Sequence, residues 1–287
     1  MSRVDVRKTH KLFIGGAFPR SESGRTYEVT DSKEQFLANM ALASRKDARD
    51  AVLAARSAVA KWSAATAYNR GQVLYRIAEV MEGRREQFIS EVSDSEGVSS
   101  RKAGAHVDAA IDRWVWYAGW ADKYAQVIGN TNPVAGPFFN FSVPEPTGVV
   151  AAVAPQDASI LGLVSVIAPI IVTGNAVIAM PSSSRPIPAI TLAECLATSD
   201  VPAGVVNILT GAPAEVMPWL AEHADVNALD LTGIVDEAVA ADLERSAAGT
   251  VKRVRGAAPH ADWQATPSLS RMRAFVEVKT VWHPMGV

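Results

Sequence analysis

The spacing of apolar residues changes character along the chain, and the changes mark its parts. From Arg45 to Trp62, Ala48, Ala51, Val52, Ala55, Val59 and Trp62 recur at i, i+3, i+4, which predicts a helix with one buried face. Ser44 or Asp47 stands where such a helix needs a cap. The same period predicts a second helix over Tyr68–Val92, burying Val73, Leu74, Ile77, Val80, Met81, Phe88 and Ile89. A third, Ala103–Ile128, carries an aromatic stripe of Trp114, Trp116, Tyr117, Trp120 and Tyr124. Rings at helical spacing predict helix packing rather than a platform for stacking bases. Ahead of these helices, Lys11–Val29 reads as a hairpin of two β-type runs around a Gly/Pro/Ser turn.

After Thr147 the period alternates. Strand Gly148–Ala154, helix Ile160–Val172, strand Ala176–Met180, helix Ile187–Thr198, strand Val205–Leu209, helix Pro213–Glu222, strand Val226–Leu231 and helix Asp236–Ala248 follow one another. This order predicts an α/β fold with a Rossmann-like parallel sheet and right-handed crossovers. Asn140–Pro146 reads as an extended linker, and Arg255–Arg273 is weakly periodic. The β-type run Phe275–Trp282 closes the chain and needs a sheet to join, either the N-terminal hairpin or a neighbouring subunit.

Composition narrows the function classes. Among 287 residues, 28 Lys+Arg stand against 30 Asp+Glu, and the densest basic cluster, Lys252–Arg255, is too short to mark a nucleic-acid surface. Ala158–Ser184 has no charged residue and is long enough to span a bilayer. Pro169, Gly174 and Asn175 interrupt it, so strand–helix–strand burial is the expectation, and the chain is expected not to engage a membrane. The opening MSRVDVRKTHKLF lacks the apolar run of a signal peptide, and a single cysteine suits a reducing compartment; both point to the cytoplasm.

Candidate chemistry outside the α/β half is sparse. His10, His106, His223, His260 and His283 show no metal-ligand spacing and read as surface or helix-end histidines. Ser182–Ser184 lacks a nucleophile-elbow context, and Asp108 and Asp112 read as a solvated helix face. Cys195, mid-helix in LAECLAT, reads as a small buried hydrophobe.

Six blocks carry a family resemblance: KLFIGGAFPRSESGRTYEV (11–29), the helix around Ala64–Gly83, EPTGVVAAVAP (145–155), IVTGNAVIAMPSS (171–183), VPAGVVNILTG (201–211) and DVNALDLTG (225–233). In order and spacing they resemble aldehyde dehydrogenases, and the terminal FVEVKTVWHP (275–284) is similar to that family's oligomerisation tail. The resemblance implies an oligomerisation hairpin over 1–30, a helical region and linker over 31–146, and an α/β unit over 147–255 that forms one cofactor domain with the helices. An irregular segment and oligomerisation strand over 256–287 complete it. It also implies NAD or NADP lying across the carboxyl ends of the strands, near Val153, Pro155, Pro181, Gly211, Thr232 and Gly233.

The same resemblance exposes departures. The family's Lys-Pro-Ser-Glu, whose charged residues reach the adenosine ribose, falls on Met180–Ser183, and the Ser of Thr-Gly-Ser falls on Ile234. At the oxyanion position of Pro-Trp-Asn stands Asp157, and a carboxylate repels a developing oxyanion. Arg253–Ala257 occupies the segment of the general-base Glu, and no segment of the chain corresponds to the one bearing the nucleophilic thiolate. The resulting expectation is a catalytically incompetent family member, with NAD or NADP binding weak or absent. It would be a structural or regulatory subunit assembling with a full-length aldehyde dehydrogenase or with itself. An active NAD(P)-dependent aldehyde oxidoreductase, or a solitary nucleotide-binding or structural module, are the alternatives.

Overall fold

A computed structural model describes residues 6–286; the first five residues of the expected N-terminal unit and the final residue of the tail lie outside the described residues. A parallel sheet of five strands forms the centre, in the order β10(Arg253–Arg255)–β9(Ala228–Asp230)–β6(Val149–Val153)–β7(Ala176–Met180)–β8(Val206–Ile208). Helices cover both faces, as parallel sheets require. Each buried strand divides its side chains between them. Val150 and Ala152 of β6 and Val177 and Ala179 of β7 face the layer of α2(Ala67–Glu82), α4(Ser100–Trp120), α6(Leu161–Val172) and α7(Ile187–Ala197). Val149, Ala151, Val153, Ile178 and Met180 face α1(Arg45–Ala64), α8(Pro213–Glu222) and α9(Glu237–Ala248).

Helix α6 accounts for the uncharged stretch. All 12 of its residues are buried, so its apolarity follows from cover on every side. Its C-terminal carbonyls are satisfied from other helices: Trp62 Nε1 donates to Ile171 O at 2.8 Å and Arg70 Nε to Val172 O at 2.9 Å. No helix among the described residues is long and apolar enough to cross a membrane.

The helical region differs from expectation at its breaks. Helix α1 begins at a capping box in which Ser44 and Asp47 act together, so both cap candidates contribute. The expected second helix is two, α2 and α3(Arg85–Glu96), parted at Gly83-Arg84, where glycine weakens helix propagation. The third ends at Trp120, and a short α5(Tyr124–Ile128) turns Tyr124 inward against Arg70. Trp114 and Tyr117 are fully buried, in keeping with packing rather than stacking on a ligand.

Two strand expectations are corrected. Within Lys11–Val29 the antiparallel pairing is confined to a tight turn at Gly15-Gly16, where Ile14 and Ala17 bridge and Leu12 N donates to Pro19 O at 3.0 Å; the second run, β2(Thr26–Thr30), pairs antiparallel with β3(Phe36–Ala41), and the short β1(Thr9–His10) adds parallel to β3. The β2–β3 turn falls at Asp31–Gln35, where Asp31 Oδ1 accepts from the backbone N–H of Lys33 and Gln35 at 2.8 Å each. The linker Asn140–Pro146 is itself a strand, β5(Phe138–Pro146), flanked by β4(Asn130–Asn132) and β11(Val276–Pro284). The terminal run therefore joins neither the N-terminal strands nor, of necessity, another subunit. Its two prolines are tolerated in β5 because alternate residues leave the ladder free of their missing N–H.

The segment between β10 and β11 folds back as a strap. Trp263, Met272 and Phe275 are buried, Met272 at the centre of the short α10(Ser270–Ala274) and Phe275 at its C-cap; α10 packs on α6. Asn175 ties the strap to the sheet, donating to Phe275 O at 2.8 Å while accepting from Gly148 N at 2.7 Å.

Candidate functional site

All six positions expected to touch a cofactor lie at the carboxyl ends of the central strands. Thr232 and Gly233 follow β9, Val153 and Pro155 close β6, Pro181 follows β7 and Gly211 follows β8. The chain reverses direction across the sheet between β6 and β9, the switch point at which open α/β sheets bind ligands. The structure brings the residues to one edge and buries every one of them.

The polar groups of this edge are engaged by the chain itself. Gly233 N donates to Val153 O at 2.9 Å, and a Cβ on Gly233 would fall 1.9 Å from Ala154 O, so the two strand ends touch. Thr232 is fully buried; its N donates to Asp230 Oδ1 at 3.0 Å and its hydroxyl donates to the same carboxylate. Arg271 from the strap completes the group, with Nη1 at 3.1 Å from Asp230 Oδ2 and Nη2 at 3.3 Å from Thr232 Oγ1. At the start of α9, where a helix N-terminus could receive a phosphate, Asp236 Oδ1 already accepts from Ala238 N at 2.8 Å and Val239 N at 3.3 Å. Ile234 packs into the apolar layer beneath.

The loops after β6 and β7 are stitched together by Gln156. Its Nε2 donates to Ala154 O at 2.8 Å, and its Oε1 accepts from Ser183 N at 3.0 Å and Ser183 Oγ at 3.2 Å. Ser182 Oγ donates to Gln156 O at 2.8 Å. Met180 is fully buried between the sheet and α1, the wrong direction for a ribose contact. Asp157 is exposed; its backbone carbonyl accepts from Arg185 Nη1 at 2.7 Å, while its carboxylate has no hydrogen-bond partner among the described residues. The same loop is pinned from below by the buried Glu96, whose Oε1 accepts from Ser159 N at 2.8 Å and Ser159 Oγ at 2.7 Å.

Two histidine readings are corrected. His106 Nδ1 lies 3.0 Å from Glu96 Oε2 in a mostly enclosed pair, and His10 is buried in β1, where burial lowers its pKa to about 4. Cys195 is buried, and burial pushes its thiol up to about 11, which keeps it protonated and un-nucleophilic near neutral pH. Among the described residues no group of His, Cys, Asp or Glu is placed to hold a metal ion. Gln156, Asp230 and Arg271 are the residues that composition and spacing did not single out. The available signal was charge segregation: Lys252, Arg253, Arg255, Arg271 and Arg273 share the 250–275 stretch with Asp262 alone.

Sequence comparison places this architecture. A model of the aldehyde dehydrogenase family matches residues 18–256. The chain belongs to that family. The cytosolic 10-formyltetrahydrofolate dehydrogenase of Pongo abelii is 32% identical over 241 residues, covering 81% of this chain and 26% of that protein. A putative aldehyde dehydrogenase, DhaS, of Bacillus subtilis (strain 168) is 29% identical over 253 residues, covering 87% and 50%. The structure of an aldehyde dehydrogenase from Bacillus cereus in complex with NAD+ superposes with a TM-score of 0.81 at 27% identity, over 86% of this chain and 50% of that one. The chain thus spans half or less of the length of these relatives, and its fold is similar to that of the Bacillus cereus enzyme solved with NAD+.

Proposed function

We propose that this aldehyde dehydrogenase family chain is a catalytically incompetent subunit that assembles with a full-length aldehyde dehydrogenase, or with itself, and that binds NAD or NADP weakly or not at all. The observation that carries the reading is the closure of the cofactor edge: Gln156, Asp230, Arg271 and Asp236 occupy the donors and acceptors a dinucleotide would need. A carboxylate at Asp157 supplies no donor to an oxyanion. The chain's only cysteine, Cys195, is buried in α7, on the sheet flank rather than at its carboxyl edge.

Assembly is supported by the second sheet. In an antiparallel pair, directly opposed residues share a face, so Val278 and Trp282 with Phe138 lie on one side of β11–β5, and Phe139, Phe141 and Val143 on the other. Phe139 is 47% exposed, Val278 54% and Trp282 57%. A narrow sheet with exposed apolar side chains on both sides, whose β11 edge is unpaired among the described residues, suits a partner that covers it. The test is assembly and turnover together. Mass determination in solution and co-purification from the native source should find a dimer or larger, or a dehydrogenase partner, with Trp282→Ser abolishing either. The isolated chain should form no NADH with a panel of aldehydes. A lone monomer, or turnover by the isolated chain, overturns the reading.

A further inference from the structure

The carboxyl ends of β9 and β10 collect more positive charge than the fold neutralises. Arg255 ends β10, Arg271 lies on α10 and Arg113 on α4, and all three act on the buried phenol of Tyr117, whose pKa burial pushes up to about 12. The carboxylate facing them is Asp230, fully buried and paired with Arg271. Glu244, exposed on α9 near Gly256, forms no ion pair with any of the three, and Asp262 is exposed and bonded to Gln264 N. Arg113 is committed to holding the strap: its Nη1 donates to Ser165 Oγ at 2.9 Å and its Nη2 to Trp263 O at 2.8 Å and Ala265 O at 3.1 Å.

What remains unmet is of one kind. Arg255 Nε is buried without an acceptor, and the guanidinium has no ion-pair partner among the described residues. The indole N–H of Trp263, the buried ring over which Arg271 lies at 4.9 Å, also has no acceptor. Burial lowers the Arg271 pKa, and the neighbouring Arg255 and Arg113 add to this against the pull of Asp230. Unmet donors beside a surplus of cations call for a compact, acceptor-only anion.

We propose that the Arg255–Arg271–Trp263 cluster at the carboxyl ends of β9 and β10 binds a small oxyanion, a carboxylate or inorganic phosphate. The planar fork of Arg255 takes two oxygens side by side, the Trp263 N–H supplies a further donor, and Arg271 adds charge while remaining on Asp230. The cluster adjoins Arg253–Ala257, the segment that stands where the family resemblance puts a general-base Glu.

The test uses the full chain with sodium phosphate and sodium acetate, each against chloride at matched ionic strength, read by calorimetry and by thermal unfolding. Saturable binding of either anion over chloride is expected, with a rise in Tm and a fluorescence change lost in Trp263→Phe. Arg255→Gln should weaken binding about tenfold or more, the range of one charge-assisted bidentate contact. Arg255→Lys, which keeps the charge and loses the fork, should weaken it several-fold and serves if the Gln variant folds poorly. Phosphate bound without acetate identifies a phosphoryl ligand; both bound identifies a general oxyanion site. Absence of saturable binding, or equal affinity in wild type and both Arg255 variants, overturns the proposal. No nucleotide is present in either arm, so the outcome is independent of whether NAD binds.

Discussion

At the carboxyl ends of β6, β7 and β9, Gln156 is bonded to Ser183, and Thr232 and Arg271 to Asp230, whereas the sheet of β11, β5 and β4 leaves aromatic rings bare on both faces. The first edge is where the family resemblance puts the cofactor; the second leaves Phe139, Val278 and Trp282 about half exposed. Interaction capacity in a folded chain resides where groups remain unsatisfied. By that measure the outer sheet and the basic cluster beside the strap stand apart from the bonded carboxyl edge.

The largest effect expected from breaking this arrangement falls on Arg271. Its side chain is 11% exposed and its partner Asp230 is fully buried, so Arg271→Ala leaves a buried carboxylate without its ion-pair partner. Removing one member of a buried pair costs about 3–5 kcal/mol, read as a drop in urea midpoint. Asp230→Asn in the same chain removes the stranded charge and should recover at least half of that loss. If Arg271→Ala costs under about 1 kcal/mol, the strap is not what closes the edge, and the contrast between the two sheets weakens.

A smaller loss sharpens the same point from the backbone side. At Gly233 an added methyl would fall 1.9 Å from the Ala154 carbonyl, so Gly233→Ala must push β9 away from β6. Overpacking of this kind costs about 1–3 kcal/mol. Urea unfolding monitored with and without NAD separates two cases. Loss of stability with no gain in cofactor binding is expected, because prying the strands apart leaves the Asp236 cap and the Gln156 stitch in place.

The central fold was legible because its signals are local. Strands β6 and β7 are runs buried on both faces, α6 is apolar all round, and capping and turn residues mark the ends of most helices. The errors fell where partners are distant in sequence. Nothing in Asn140–Pro146 announces a strand, since its prolines argue against one; only the antiparallel partner 276–284 makes it so. The family resemblance gave the six candidate cofactor positions and the structure sets them at the carboxyl ends of the strands, but the bonds of Gln156 and Arg271 beside them had no such signal. Gln156 reads as one odd residue in a loop, and Arg271 lies in a segment with weak period, so their pairing with Ser183 and Asp230 has no sequence periodicity to reveal it.

The smallest effect separates a closed nucleotide edge from one that merely lacks a contact. Met180 cannot be turned into a ribose-reaching lysine without burying a charge between the sheet and α1, so the accessible change is Ser183→Glu on the half-buried loop. The new carboxylate loses the Ser183 hydroxyl bond to Gln156 Oε1 and places a charged acceptor where the family resemblance has one. A single recovered polar contact is worth about 1 kcal/mol, a several-fold gain in NAD affinity by calorimetry. That gain would require the dinucleotide to reach the β7 loop. With Gly233 N on Val153 O, Arg271 on Thr232 and Asp236 on Ala238 N and Val239 N, these donors are already committed within the chain. The expected outcome is therefore no measurable gain from Ser183→Glu alone, and a several-fold gain only when Asp236→Ala also frees the helix terminus. A full gain from the single change would show that the edge is open and that only the ribose contact was lost.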